Sequence, residues 1–132
     1  MEIATGVDIL NIHRLERILK LGDGVLLELL YSKAEQEAAL RRPIPLQYYA
    51  TRFAGKEAVV KALSRCKGEF SFHEIEILSK PNEAPYVHLS GKAKKAATKE
   101  ALLEISISLS FDTDYVIAFA IAVFCEKQEG IG

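Results

Sequence analysis

The sequence of 132 residues predicts an α+β domain, with helices packed on a mainly antiparallel sheet. Three observations lead there. Helical patterns succeed one another from Ile12 to Leu63 with no strand pattern between them. Apolar–polar alternation then takes over around Ile75–Ile77, Tyr86–Leu89 and Ile105–Leu109, with turn residues that favour antiparallel pairing. The last apolar run, Tyr115 to Cys125, suits a buried central strand.

Residues Ile3 to Leu10 alternate as a strand, with Ile3, Val7 and Ile9 on one face and Ala4, Gly6, Asp8 and Leu10 on the other. Asn11 fits the N-cap of a helix from Ile12 to Leu21, and Gly22 fits its stop. Ile12, Leu15, Ile18 and Leu19 form its apolar face. His13, Arg17 and Lys20 line up opposite, with Arg14 beside them. Val25 to Tyr31 continues as a short apolar helix. Ser32-Lys33-Ala34-Glu35 has the capping-box pattern and opens a helix to about Leu40. Pro43 and Pro45 break it, and a long helix starts near Leu46. Ser64 to Gly68 is a polar loop carrying Arg65 and Lys67. Pro81-Asn82-Glu83 marks a hairpin turn, and Ser90 caps a Lys/Ala-rich helix reaching about Leu102. Asp112-Thr113-Asp114 turns the chain into the last strand. Residues 1–125 read as one domain, and Glu126 to Gly132 as a flexible tail.

The stretch from Arg52 to Leu63 organises the rest. At about 100° per residue its apolar side chains nearly circle the axis, the pattern of a buried helix. Yet Lys56 and Glu57 fall inside the broader apolar arc, and Lys61 borders it. Charges on a buried helix are costly unless paired or bound to something. One reading is an internal Glu57–Lys61 pair at i, i+4. The other is a carboxylate and two ammonium groups lining a site for a metal and an anionic ligand. Asp8 shares its strand face with Ala4 and Gly6, which leaves room for a ligand beside its carboxylate. A turn hydrogen bond at the strand end is the plainer alternative.

Composition narrows the choices. Apolar residues make up 49% of the chain and charged residues 27%, ordinary for a globular protein. The formal net charge of -1 argues against nucleic acid as a partner, which calls for a basic excess. Cys66 and Cys125 show no metal or redox spacing and read as reduced thiols, Cys125 in the core. No signal-peptide pattern opens the chain, and no apolar run is long enough to span a bilayer. A cytoplasmic protein without a membrane part is expected. His13, His73 and His88 lack metal-ligand spacing, and there is neither a nucleophile elbow nor a glycine-rich phosphate loop. Asp8 and Glu57 remain. Two carboxylates with water completing the shell suit Mg²⁺, commonly bound together with substrate phosphates that nearby lysines would complement. The basic row on the first helix is either a solvated face or a surface for an acidic partner.

Gly6-Val7-Asp8-Ile9, Arg52-Phe53-Ala54-Gly55-Lys56-Glu57-Ala58 and Lys61-Ala62-Leu63 together resemble holo-acyl-carrier-protein synthase, a 4'-phosphopantetheinyl transferase. Phe70 to Ile77, Pro85 to Gly91, Ile105 to Ser108 and Tyr115 to Ala118 extend the resemblance, in order, over nearly the whole chain. It implies the fold of that family and Mg²⁺-dependent transfer of phosphopantetheine from coenzyme A to a serine of apo-acyl carrier protein, releasing adenosine 3',5'-bisphosphate. It implies Asp8 and Glu57 as metal ligands and Lys61 as the catalytic lysine on the pyrophosphate. Arg52 and Lys56 match further substrate-binding positions. Either Glu57 or a water held by the metal would take the serine proton. Arg14 matches a position that meets the acidic carrier protein, which gives the basic row with Arg17 a purpose. Homotrimers with sites between subunits are common in the family, and its role is in fatty-acid synthesis.

Three departures stand out. Ser64-Arg65-Cys66-Lys67 replaces a Gly-Thr-Gly loop, although Arg65 and Lys67 can attract phosphates there. Glu83-Ala84-Pro85 replaces Gly-Lys-Pro, and Leu109 replaces a histidine. They leave two rivals: a non-catalytic relative that binds carrier protein or coenzyme A, and a transferase serving polyketide or peptide synthase carriers.

Overall fold

A computed structural model describes residues 1–80 and 82–126. The order is strand β1 (Glu2–Asn11), helices α1 (Ile12–Leu21), α2 (Val25–Leu30), α3 (Lys33–Leu40) and α4 (Pro45–Ala62), then strands β2 (Ile75–Leu78) and β3 (Tyr86–Leu89). Helix α5 (Gly91–Lys99) and strands β4 (Leu102–Asp112) and β5 (Tyr115–Phe124) complete it. The strands form an antiparallel three-stranded sheet, β1-β5-β4, and an antiparallel β2-β3 pair. This is the α+β architecture that the alternation predicts.

Small residues let α4 settle against the sheet. Ala50, Ala54, Ala58 and Ala62 are buried, facing a core that includes Ala118, Ala120 and Ala122 of β5. Contact is closest at Gly6, where an added Cβ would lie 2.0 Å from the Ala58 carbonyl oxygen and 2.8 Å from the Ala62 nitrogen. The space beside Gly6 is therefore filled by the helix backbone, not left for a ligand as the strand pattern implied. At Gly55 a Cβ would come within 2.4 Å of Ile77 on β2. Helix α4 is thus gripped by both sheets.

Strand β5 is central, but only one of its faces is covered. Val116, Ala118, Ala120, Ala122 and Phe124 are buried, while Tyr115, Ile117 and Phe119 are open to solvent. Their cross-strand partners Ile9 and Val7, and Ile3 further along β1, are exposed too. The apolar run thus supplies both a core face and an uncovered apolar outer face.

Local capping follows the sequence at two helices and departs from it at a third. Asn11 accepts from the His13 and Arg14 amides, and Ser32 and Glu35 form the reciprocal capping box. Ser90 makes no cap hydrogen bond to α5. The Glu74 carboxylate does that work, accepting from the Lys92 amide with one oxygen and from the Ser71 amide with the other. Helix α5 also ends earlier than expected, because Ala101 turns to φ 58° and releases the chain into β4. Cys66 is buried and Cys125 exposed, which corrects the placement of Cys125 in the core. Most of the expected tail, residues 127–132, lies outside the described residues, as does Pro81 of the hairpin turn.

Candidate functional site

The close pass of α4 over Gly6 sets Asp8 beside the helix. Lys61 donates to the Val7 carbonyl at 2.8 Å and approaches Asp8 Oδ1 at 3.4 Å. Lys61 thus turns to β1 and makes no hydrogen bond with Glu57, so the i, i+4 pair is not formed. With half of the Lys61 side chain exposed, this ion pair is weak and easily exchanged for another anion.

Glu57 is half-buried, and its carboxylate makes no hydrogen bond or ion pair among the described residues. Burial raises its pKa above the ordinary carboxylate value. The Asp8 charge pushes the same way, and Lys61 only partly opposes them. A half-buried carboxylate that also feels the charge of Asp8 forms a spot where a cation is favoured. The donor set is oxygen only, and among the described residues no group of three or more His, Cys, Asp and Glu side chains could hold a metal ion. Two protein ligands, with the remaining positions left to water and phosphate, fit Mg²⁺.

Lys56 has a different environment, although it is the neighbour of Glu57. It is fully buried, and its ammonium donates to Glu35 Oε1 at 2.7 Å, to the Phe72 carbonyl at 2.8 Å and to the Ile75 carbonyl at 2.6 Å. An ammonium has three N–H groups, and all three are used. Glu35 is equally satisfied, accepting also from the Ser32 and Ile77 amides. This corrects the expectation that Lys56 lines a ligand site with Lys61. Burial lowers the Lys56 pKa and Glu35 works against that fall.

Arg52 lies one turn before Lys56 on α4 and is also buried. It donates to the Ile77 carbonyl, Thr51 Oγ1 and Ser79 Oγ, and its guanidinium sits 4.0 Å from the centre of the Tyr48 ring. No carboxylate pairs with it among the described residues. Arg42 approaches the same ring at 5.1 Å, and the Tyr48 hydroxyl is buried without a hydrogen-bond partner among the described residues. These groups line a cleft of about 260 Å³ that contains neither Asp8 nor Glu57. The structure therefore brings Asp8, Glu57 and Lys61 together and leaves Arg52 apart. Tyr48, Arg42 and Glu35 were not singled out by sequence reasoning, and only Glu35 carried a signal, as the fourth residue of its capping box.

Arg14 and Arg17 are exposed on α1 and form no ion pair among the described residues. His13 is drawn out of their row by Asp114, 2.9 Å away. Exposed Ile18, Leu21, Val25 and Leu29 continue the surface from α1 onto α2. Arg65 pairs with Glu2 and stacks on Phe124, which places it near the start of β1.

This fold defines a class of group-transfer proteins: a sequence profile described as the 4'-phosphopantetheinyl transferase superfamily matches residues 4–120. Relatives narrow the class. A holo-[acyl-carrier-protein] synthase of Desulforudis audaxviator is 36% identical, covering 93% of this chain and 94% of its own. That of Ruminiclostridium cellulolyticum is 39% identical, covering 92% of each. The Chronobacterium ammoniagenes ACPS–CoA complex superposes with a TM-score of 0.85 at 25% identity, covering 96% of this chain and 100% of that one. The Helicobacter pylori holo-[acyl-carrier-protein] synthase in complex with coenzyme A gives 0.77 at 32% identity, covering 90% and 99%. The chain belongs to the holo-[acyl-carrier-protein] synthase family of 4'-phosphopantetheinyl transferases.

Proposed function

We propose that this chain transfers 4'-phosphopantetheine from coenzyme A to a serine of apo-acyl carrier protein in a Mg²⁺-dependent reaction, releasing adenosine 3',5'-bisphosphate. The observation that carries this reading is the partnerless Glu57 carboxylate, desolvated and facing the charge of Asp8. Asp8 and Glu57 would hold the metal, which supplies charge neutralisation at the coenzyme A pyrophosphate. Lys61, anchored by the Val7 carbonyl, exchanges Asp8 for the pyrophosphate and stabilises the leaving bisphosphate. The serine oxygen bonds to phosphorus as the bond from that phosphorus to the bisphosphate oxygen breaks. The serine proton passes to Glu57 or to a water at the site.

Arg14 and Arg17, unpaired beside an apolar ridge, form the surface offered to the acidic carrier. The uncovered apolar face of the three-stranded sheet supports assembly into a homotrimer. Arg52, whose cleft contains neither Asp8 nor Glu57, then binds substrate for a neighbouring subunit. No helix among the described residues is long and apolar enough to cross a membrane, in keeping with work in the cytoplasm on fatty-acid synthesis.

The test is direct. The purified chain, given Mg²⁺, coenzyme A and apo-acyl carrier protein, adds the prosthetic group to the carrier, read by mass spectrometry, and a chelator stops it. No mass shift at saturating coenzyme A across several carriers, with binding intact, would identify a non-catalytic relative.

A further inference from the structure

The sealed Glu35–Lys56 junction lies on the side of α4 away from the proposed chemistry, yet it uses the residue next to Glu57. Its bonds tie together three parts of the chain. Glu35 comes from α3, Lys56 from α4, and the Phe72 and Ile75 carbonyls and the Ile77 amide from β2 and the turn that enters it. The Ile77 carbonyl, in turn, accepts from Arg52.

On the flank that meets β1 and β5, α4 rests on small residues, which resist rolling about its axis only weakly. Ala54, Ala58, Ala62 and the sheet alanines opposite them offer shallow ridges. Gly6 fixes how near α4 comes to β1, but a close backbone approach restricts distance better than rotation. The Lys56 ammonium, bound by three acceptors in three directions, is the directional contact on the opposite flank. A helix with its side chains measures about 10–12 Å across, so a roll of about 10° moves a carboxylate at its rim by roughly 1 Å. A displacement of that size can cost on the order of 10²-fold in rate where groups must be aligned.

We infer that the buried Glu35–Lys56 pair is a positioning device that sets the roll of α4, holding Glu57 and Lys61 against Asp8. The inference rests on the proposed transferase reading. Buried pairs are often replaceable by neutral groups without loss of stability, which makes a purely stabilising role a poor explanation for retaining two charges in the core. A dry junction with every donor and acceptor matched instead specifies one arrangement over its near neighbours.

The experiment compares the unchanged chain with the double variant Glu35→Gln/Lys56→Met, which leaves no unpaired charge in the core. Circular dichroism and thermal melting establish folding, and steady-state transfer is measured well below the melting point. The expected result is a folded protein with kcat lowered about tenfold or more, while KM for coenzyme A stays within about twofold. Lys56→Arg, which keeps the charge but not the compact ammonium, should restore folding contacts without restoring kcat. A folded double variant with unchanged kcat overturns the inference. A double variant that no longer folds also overturns it, because the pair would then serve stability alone. Inactivity of the unchanged chain would instead count against the transferase reading, so the two failures are separate.

Discussion

Two junctions of helix α4 carry charge, and they are built in opposite ways. Toward α3 and β2, Lys56 and Glu35 are fully buried with every N–H and carboxylate oxygen in use. Toward β1, Glu57 is half-buried and unpaired, and Lys61 holds Asp8 only at 3.4 Å. Adjacent residues of one helix thus differ in how completely their charge is answered. The closed junction keeps the helix in place. The open one has an electrostatic need that the protein does not meet by itself, and that need points to a ligand.

Removing the unmet charge should produce the largest effect. Glu57→Gln is expected to lower transfer by about 10²-fold or more, since it removes the charge that the proposed reaction requires of Glu57. Its stability should change in the opposite sense. The folded-state pKa of Glu57 lies above its ordinary carboxylate value, so folding favours the protonated carboxyl. Native Glu57 therefore destabilises the fold increasingly as pH rises from the ordinary carboxylate value through the raised one, and costs nothing below the former. Glu57→Gln should melt higher than the parent near neutral pH and equally at about pH 3. A lower melting temperature at neutral pH would mean that the carboxylate is structurally satisfied after all.

The closed junction should respond in the other currency of the comparison. Lys56→Met strands the Glu35 charge and is expected to lower stability by about 3–5 kcal/mol, measured by denaturant unfolding. A loss within experimental error would show that water reaches Glu35 and that the junction is not sealed. Gly6→Ala tests the contact between the two sides. Its Cβ would collide with the Ala58 carbonyl oxygen, which belongs to the helix backbone and cannot rotate aside. About 1–3 kcal/mol of stability should go, with transfer falling further than folding accounts for. A variant as stable and active as the parent would contradict the close approach. Arg14→Glu with Arg17→Glu should have the smallest effect. KM for the carrier should rise about tenfold and depend less on salt, with KM for coenzyme A unchanged. Equal changes for both substrates would assign α1 a structural role.

Local patterns made much of this fold legible. The Ser32–Glu35 capping box, the Asn11 cap and the order of helices before strands all depend on residues within a turn or two of each other. The nearly all-round apolar character of α4 correctly marked it as buried. What escaped were facts about distant neighbours. Lys56 looked like a site residue because its partner stands 21 positions away on another helix. Glu74 replaced Ser90 as the cap of α5 because a 3₁₀ turn, invisible to periodicity, carries its carboxylate to the Lys92 amide. The small face around Asp8 was visible in the sequence, but the same pattern admits either a ligand or a helix backbone. Asp8 and Glu57 were selected by their odd surroundings, whereas Tyr48 looked like any core aromatic. Its missing hydrogen bond exists only in three dimensions.

The outer face of the sheet, with Ile3, Val7, Ile9, Ile117 and Phe119 uncovered, has a consequence for anyone handling the protein. In the assembly proposed for that face, the state of the protein follows mass action. Activity per molecule would then be a function of concentration, falling on dilution as subunits part and recovering on concentration without refolding. Thermal midpoints would drift upward with protein concentration for the same reason. An assay run at the low enzyme levels convenient for kinetics would sample a different population from the one in a concentrated stock. Rates quoted without the concentration would describe a mixture.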